Sequence, residues 1–360
     1  MTDAPGPTPA PDRPDSPGSP DAPLRIGVLG AARIAEEALT EPARRTGQRL
    51  VAVAARDRAR AQELADRAGV ERVHGSYEEL LADDDVEVVY DPLPNALHGT
   101  WNLAAVRAGR HVLTEKPSTA CAADARAVRD AAAAAGVHVV EAFHHLHHPV
   151  HRRLVELLAS GELGELRRVE VDMLVPAPGD DDPRWSLELG GGALMDLGCY
   201  GLRTLRELAP LVGGEPVVTG ARAVEHPDHP GVDAELVADL ALPSGAAAVV
   251  RSRMGGDDVV FSCRLVGSRG EALAPSFVKP QWDDRVLVRV GDDERTEHLG
   301  TRSSYDHQLD ALARLLRGGA SEGEGGQDDP DLGADDAVAT MELVDACYEA
   351  AGLGARPAVL

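Results

Sequence analysis

The sequence predicts two domains: an α/β domain with a doubly wound parallel sheet, then an α+β domain around a large, mostly antiparallel open sheet. Three observations carry that expectation. From Leu24 to about Glu141, short apolar runs alternate with Ala-rich helical segments, the texture of parallel strands joined by crossover helices. The first apolar run passes straight into Gly30-Ala31-Ala32-Arg33-Ile34-Ala35, where a phosphate-binding turn belongs. Beyond Pro149, strand-like runs follow one another across short turns such as Pro243-Ser244-Gly245, which indicates antiparallel pairing.

In the first domain, Arg25–Leu29, Leu50–Ala55, Val86–Tyr90, His111–Leu113 and Val137–Val140 read as buried strands. Segments near Ile34–Arg45, Ala59–Ala68, His98–Ala108 and Ala122–Ala135 read as the helices between them. After a helix reaching about Ser160, Leu166–Val175 alternates like a strand with one wet face. A Gly-rich break precedes a single long helix, Ala193–Leu211. Val217–Val224, Ala234–Leu242, Ala246–Met254, Val259–Val266 and Val286–Val290 read as strands, and Tyr305–Arg317 and Ala334–Ala351 as late helices around an acidic loop, Gly318–Asp331. The expected division is a disordered Pro-rich tail (1–23), a Rossmann domain (24–148) and a substrate and dimerisation domain (149–360). The last helices are expected to pack back on the Rossmann domain.

Composition narrows the function. Hydrophobic residues make up 43% of 360, which suits a globular chain. The formal charge of −24 argues against nucleic acid or an anionic membrane as partner. No apolar run reaches the roughly 20 residues of a membrane span, and the N-terminus lacks the pattern of a secretory signal. The four cysteines form no CxxC pair. A cytoplasmic location with reduced thiols is the expectation.

The chemistry concentrates in four places. Gly30 permits the tight turn after the first strand, and the following helix offers amides and a positive dipole end to a pyrophosphate. Ala32 stands where a second glycine is usual. The second strand ends in Ala54-Ala55-Arg56-Asp57, with Ala55 where an NAD enzyme places a ribose-binding acid. Arg56 is suited to stack on adenine and pair with a 2′-phosphate, so NADP(H) is the expected cofactor. Glu115-Lys116-Pro117 falls at the carboxyl end of a strand, where ligands of open α/β sheets bind. In Gly190-Gly191-Gly192-Ala193-Leu194-Met195-Asp196-Leu197-Gly198-Cys199-Tyr200, the acid and the phenol are four apart and are expected on one helical face. A phenol is a weak acid at neutral pH unless a cation lowers its pKa, and Lys116 is the candidate cation.

Together with Gly75-Ser76-Tyr77-Glu78-Glu79-Leu80, Leu93-Pro94-Asn95, His98 and Glu141-Ala142-Phe143, these motifs resemble the Gfo/Idh/MocA superfamily over about Leu24–Pro357. Within it, the chain is similar to the branch holding dihydrodiol dehydrogenase, NADP-linked xylose dehydrogenase and sugar ketoreductases. The resemblance implies an NADP(H)-dependent oxidoreductase acting on a sugar, polyol or keto-sugar. It gives Lys116 and Tyr200 the proton at the reacting oxygen and Asp196 the orientation of substrate or tuning of the tyrosine. It implies a cis Lys116–Pro117 bond, and a cofactor lined by Gly30, Ala32, Arg33, Ile34, Arg56, Leu93, Asn95, His98, Glu115 and Lys116. Trp185, Arg184 and His144 are substrate candidates. A homodimer or homotetramer is implied by the second sheet.

Two departures stand out. Leu146 replaces an arginine of the motif Glu-Ala-Phe-Met-x-Arg-x-His-Pro, and Asp91 replaces an apolar residue at a strand end, beside the expected pyrophosphate. The histidines at 144, 145, 147, 148 and 151 have no completing acid or cysteine with known spacing, so no metal is expected. A nucleotide-linked keto-sugar reductase, with Arg184, Arg203 and Arg206 receiving the diphosphate, is a competing reading. A non-catalytic cofactor or sugar sensor is another.

Overall fold

A computed structural model describes residues 22–318 and 332–360. The expected disordered tail, apart from Ala22 and Pro23, and nearly all of the acidic loop therefore lie outside the described residues.

Six parallel strands form the first sheet: β1 (Arg25–Leu29), β2 (Arg49–Ala54), β3 (Val73–His74), β4 (Val88–Asp91), β5 (His111–Thr114) and β6 (Val139–Glu141), in the order β3-β2-β1-β4-β5-β6. Alternate side chains serve two separate cores. Ile26, Val28, Val53 and Tyr90 face one, while Leu29, Ala54, Val89 and Val112 face the other. Burial on both faces is why these strands read as continuous apolar runs. The order reverses between β1 and β4, which opens a crevice above their carboxyl ends.

The crossover helices are α1 (Glu41–Thr46), α2 (Arg58–Ala68), α3 (Tyr77–Leu81), α4 (Asn95–Arg107) and α5 (Ala122–Ala135). The expected helix Ile34–Arg45 is instead a π-helical turn, Glu36–Thr40, running into α1. Pro42 explains it: the proline has no N–H to donate and crowds the preceding turn, which widens.

The second domain begins with α6 (Pro149–Ala159), then β7 (Leu166–Val175), a π-helical turn (Leu194–Gly198), α7 (Cys199–Glu207) and α8 (Ala209–Val212). It continues through β8 (Val217–His226), β9 (His229–Ala241), β10 (Ala247–Met254), β11 (Val260–Gly267), β12 (Gly270–Ala274), β13 (Arg285–Val290) and β14 (Asp293–His298). These eight strands run β14-β13-β12-β11-β7-β10-β9-β8, antiparallel except where β10 pairs with β7. Val169, Val171, Met173, Ala248 and Val250 are buried on one face, under the helices. The other face carries crossed ion pairs, Arg251 with Asp172 and Arg264 with Glu170.

Two late helices, α9 (Ser304–Arg317) and α10 (Ala334–Ala350), tie the domains together: α9 packs on α1, and α10 packs on α5, β6 and β8. Arg45 of α1 grips Asp306 of α9 with Nη2 2.8 Å from Oδ1. No helix among the described residues is long and apolar enough to cross a membrane.

Candidate active site

A cleft of about 1650 Å³ runs from the β1 turn, across the carboxyl ends of β4 and β5, to the inner face of the second sheet. Gly30, at φ +82°, ends β1 in the left-handed region, and its N–H donates to the Ala54 carbonyl at 2.6 Å. A Cβ there would be strained and would press on Leu93. The turn thus brings bare backbone to the cleft, as a pyrophosphate requires. Gly30, Ala32, Arg33 and Ile34 all line it.

At the far end of β2, Ala55, Arg56, Asp57 and Arg60 line the same wall. The Asp57 carboxylate accepts from Ala59 N–H at 2.9 Å and from Arg60 N–H, capping α2. It is therefore committed to the helix rather than to a ribose hydroxyl. Arg60 donates to the Ala31 carbonyl at 2.8 Å, which places a second guanidinium beside Arg56. Two arginines on this wall fit a 2′-phosphate. Sequence reasoning missed Arg60, although it follows Arg56 at helical spacing.

The departures at 91 and 146 resolve differently from expectation. Asp91 is fully buried; its Oδ1 accepts from Leu93 N–H at 3.1 Å, and burial holds its carboxyl well above the usual carboxylate range. Burial disfavours an anion at this position, so the side chain is not a free charge set against phosphate. Leu146 is part of the apolar core.

Leu93, Asn95, His98, Glu115 and Lys116 form the wall above β4 and β5. The buried His98 ring is bracketed by the carbonyls of Pro117 (2.7 Å) and Leu93 (2.6 Å), and burial drives its pKa down to about 4. Glu115 accepts from the Tyr90 hydroxyl at 2.8 Å. Asn95 reaches across the domains, its amide donating to the Gly190 carbonyl at 3.0 Å. The Lys116–Pro117 bond is cis.

Lys116 crosses the cleft. Its Nζ donates to the Asp196 carbonyl at 2.7 Å and lies 3.2 Å from Asp196 Oδ1. The other carboxylate oxygen, Oδ2, lies 2.9 Å from Arg184 Nε. Burial disfavours both charges, but the mutual attraction wins. Asp196 stays below its usual range, and Asp196, Cys199 and Glu115 hold Lys116 above its own.

The segment carrying Asp196 and Tyr200 is not one α-helix. The π-helical turn Leu194–Gly198 precedes α7, so the carboxylate turns toward Lys116 and Arg184 while the phenol passes beneath the lysine. The glycines before it are obligatory. At Gly192, φ +127°, a Cβ would collide with Asp233 and Arg356, a buried pair 2.8 Å apart that also holds the Gly191 carbonyl.

The Lys116 ammonium sits over the Tyr200 ring, 4.9 Å from its centroid, and gives its hydrogen bonds to Asp196. The net shift of the phenol is upward rather than the expected lowering: burial, with Glu115, Cys199 and Asp196 nearby, pushes Tyr200 well above 10. Tyr200 is 7% exposed and still lines the cleft.

Of the substrate candidates, Arg184 lines the cleft. The walls do not include Trp185, which is buried against His226, nor His144, which lies behind Tyr200. Arg203 and Arg206 are paired with Asp336 away from the cleft, so no diphosphate patch forms there. The histidine rings diverge to separate partners: His144 to Ser304, His145 to Thr204, His148 to the Arg302 carbonyl. Lys279, Tyr305 and Phe261 complete the second-domain wall. They come from distant segments with no recognisable motif, so sequence reasoning missed them.

Comparison with known proteins agrees with this geometry. Residues 24–143 match the family described as oxidoreductases with an NAD-binding Rossmann fold, GFO_IDH_MocA, and residues 151–273 match a GFO/IDH/MocA C-terminal domain. The chain belongs to the Gfo/Idh/MocA oxidoreductase family. Among its relatives, the NADP(+) D-xylose 1-dehydrogenase 2 of Haloferax volcanii is 35% identical, over 92% of this chain and 98% of that one. The dTDP-3,4-didehydro-2,6-dideoxy-α-D-glucose 3-reductase of Streptomyces violaceoruber is 34% identical, over 92% and 96%. A 3-ketoreductase from Actinomadura kijaniata, solved with NADP and TDP-benzene, superposes with a TM-score of 0.81 at 30% identity, over 91% and 98%. A non-catalytic sensor is set aside: these Gfo/Idh/MocA relatives are enzymes, and Lys116, Asp196 and Tyr200 converge in one cleft.

Proposed function

We propose that this chain is an NADP(H)-dependent oxidoreductase of sugars. It moves hydride to or from the hydroxyl- or carbonyl-bearing carbon of a neutral sugar, polyol or keto-sugar. The observation that carries the reading is the convergence of Lys116, Asp196 and Tyr200 from both domains where the phosphate groove meets the second sheet.

The cofactor, when bound, supplies or takes the hydride. The chain's own residues do the rest. The Gly30 turn and the start of the following helix hold the pyrophosphate, and Arg56 with Arg60 takes the 2′-phosphate. Lys116 and Tyr200 hold the substrate oxygen, the phenol giving or taking its proton while the ammonium favours the developing negative charge. Asp196 fixes Lys116 and, through Arg184, the far side of the pocket. Every cation at this end has a carboxylate partner: Lys116 and Arg184 share Asp196, and Lys279 lies 2.7 Å from Glu37. A balanced set of donors and acceptors suits a neutral polyol better than an anionic sugar.

The test is a fluorescence titration with NADPH and, separately, NADH, followed by turnover on a panel of aldoses, polyols and keto-sugars. Tight binding with NADPH preferred, and turnover on a neutral sugar, is the expected outcome. Failure to bind either nucleotide overturns the reading. The fold likeness to the Actinomadura ketoreductase favours a second reading, a nucleotide-linked keto-sugar, which a dTDP-sugar in the same panel distinguishes. The enzyme is proposed to work in the cytoplasm as a homodimer or homotetramer through the charged outer face of the second sheet.

A further inference from the structure

Behind the Tyr200 phenol lies a second, fully buried layer that no part of the reaction has yet used. The hydroxyl of Tyr200 is 3.3 Å from His144 Nε2. The other ring nitrogen, Nδ1, is 2.7 Å from Ser304 Oγ at the start of α9. The imidazole stacks on Tyr305 with centroids 3.8 Å apart and planes at 27°. His144 is 1% exposed and Ser304 fully buried. The ring is thus fixed from three sides, by a phenol, a hydroxyl and an aromatic face.

We propose that His144, set by Ser304, is the positioning residue for Tyr200: its Nε2–H donates to the phenolic oxygen and so turns the phenolic proton toward the substrate. The inference rests on the catalytic reading of Tyr200. A neutral imidazole carries one N–H, and the two tautomers have opposite consequences. If Nε2 accepts, the phenol's only proton points inward to the histidine and is lost to the substrate. If Nε2–H donates, that proton is free to meet the substrate oxygen, and Ser304 completes the chain by donating to Nδ1. Ser304 has one other acceptor, Gln281 Oε1, at the longer distance of 3.4 Å, so the shorter contact to His144 is the one its hydroxyl serves.

The lysine does not fill this role. Lys116 lies over the ring face and is bonded to Asp196, leaving the phenolic oxygen to His144. Burial, with Lys279, Lys116, His147 and His148 nearby, holds His144 well below its usual pKa, so the ring stays neutral and one tautomer governs. In reduction, hydride adds to the carbonyl carbon, the C=O pair moves to oxygen, and that oxygen takes the phenolic proton. Tyr200 is left as a phenolate that accepts the Nε2–H bond until solvent returns the proton. In oxidation the same bond supports the phenolate as base. No proton passes through the histidine.

Two readouts test this. Long-range ¹H–¹⁵N spectra of the histidine side chains, with His144 identified by its loss in His144→Met, report the tautomer without any turnover. The Nε2–H form is expected, with Ser304→Ala shifting it toward a mixture; a resident Nδ1–H form overturns the proposal. In steady-state kinetics His144→Met should lower kcat about 10- to 100-fold, the weight of one hydrogen bond to a charged oxygen. KM and NADPH affinity should hold, and His144→Gln, whose amide can still donate, should recover part of the loss. In a Tyr200→Phe background His144→Met should cost nothing more. Full turnover in Tyr200→Phe sinks the catalytic reading itself, whereas a dead Tyr200→Phe with a fully active His144→Met sinks only the positioning role.

Discussion

The two ends of the cleft are built by opposite means. The cofactor end is backbone and surface: a left-handed glycine, a helix start, and two arginines reaching from the rim of β2. The reacting end is buried and partly buried side chains, each with a partner from another element: Lys116 with Asp196, Tyr200 with His144, Glu115 with Tyr90. An exposed contact is made in competition with water and contributes little beyond its own bond. A buried one acts in a low-dielectric setting, and removing one partner strands the other. Changes at the reacting end should therefore abolish chemistry while sparing cofactor binding, and changes at the rim should do the reverse.

The largest effect expected is at Tyr200. Tyr200→Phe keeps the ring under Lys116 and removes only the proton, so kcat should fall by about 10²- to 10⁴-fold, the range of general acid–base catalysis. NADPH affinity, read by fluorescence titration, should stay within about twofold of wild type on the same reasoning that only the phenolic proton is lost. Lys116→Met should come close behind, with an added cost in stability because Asp196 loses a partly buried partner. A loss of NADPH binding as large as the loss of turnover in Tyr200→Phe would break the comparison.

Arg56→Ala sharpens the same contrast from the other side. Losing one charge-assisted contact at the rim should weaken NADPH by about 10- to 100-fold and NADH hardly at all. The kcat at saturating NADPH should be kept. Equal weakening of both nucleotides would mean that Arg56 stacks on adenine without touching the 2′-phosphate. Arg60→Ala, whose guanidinium is already bonded to the Ala31 carbonyl, should show the smaller share of the same preference.

The cofactor end was the more legible in the sequence, and the reason is the same difference in construction. A turn between strand and helix is a local event, so Gly30, Ala55 and Arg56 could be read in chain order, and Asp57 proved to be an N-cap, another local device. The doubly wound sheet followed from runs buried on both faces. Three strands were missed: β3 has two residues, β14 is Asp293–His298, mostly charged at a sheet edge, and β12, Gly270–Ala274, is short and built largely on glycine and alanine although Ala272 and Ala274 are buried. The reacting end is assembled over long separations. The motifs supplied Lys116, Asp196 and Tyr200, but not that a π-helical turn parts the acid from the phenol. Nor could they show that α9 brings Ser304 and Tyr305 against His144, or that Asp91 is fully buried. Desolvation and cross-chain partners decide these, and neither leaves a mark in local spacing.

The smallest predicted effect is thermodynamic and concerns Glu141, at the end of β6. Its Oε1 accepts from Ser118 N–H at 2.7 Å, next to the Lys116–Pro117 turn, and burial, with Asp336 nearby, pushes its carboxyl up to about 8. The folded protein therefore holds a proton here that the unfolded chain releases above about 4.5. Between those values the unfolded state binds fewer protons than the folded one, so this group's contribution falls as pH rises and levels off above about 8. Glu141→Gln keeps the acceptor for Ser118 and removes the titration. Relative to wild type, the variant should gain stability steadily from pH 5 to pH 8, visible as a melting-temperature difference that grows with pH. A difference that stays flat across that range would place a carboxylate, not a carboxylic acid, behind the lysine turn. In that case the rim and the interior would be less distinct than the structure makes them.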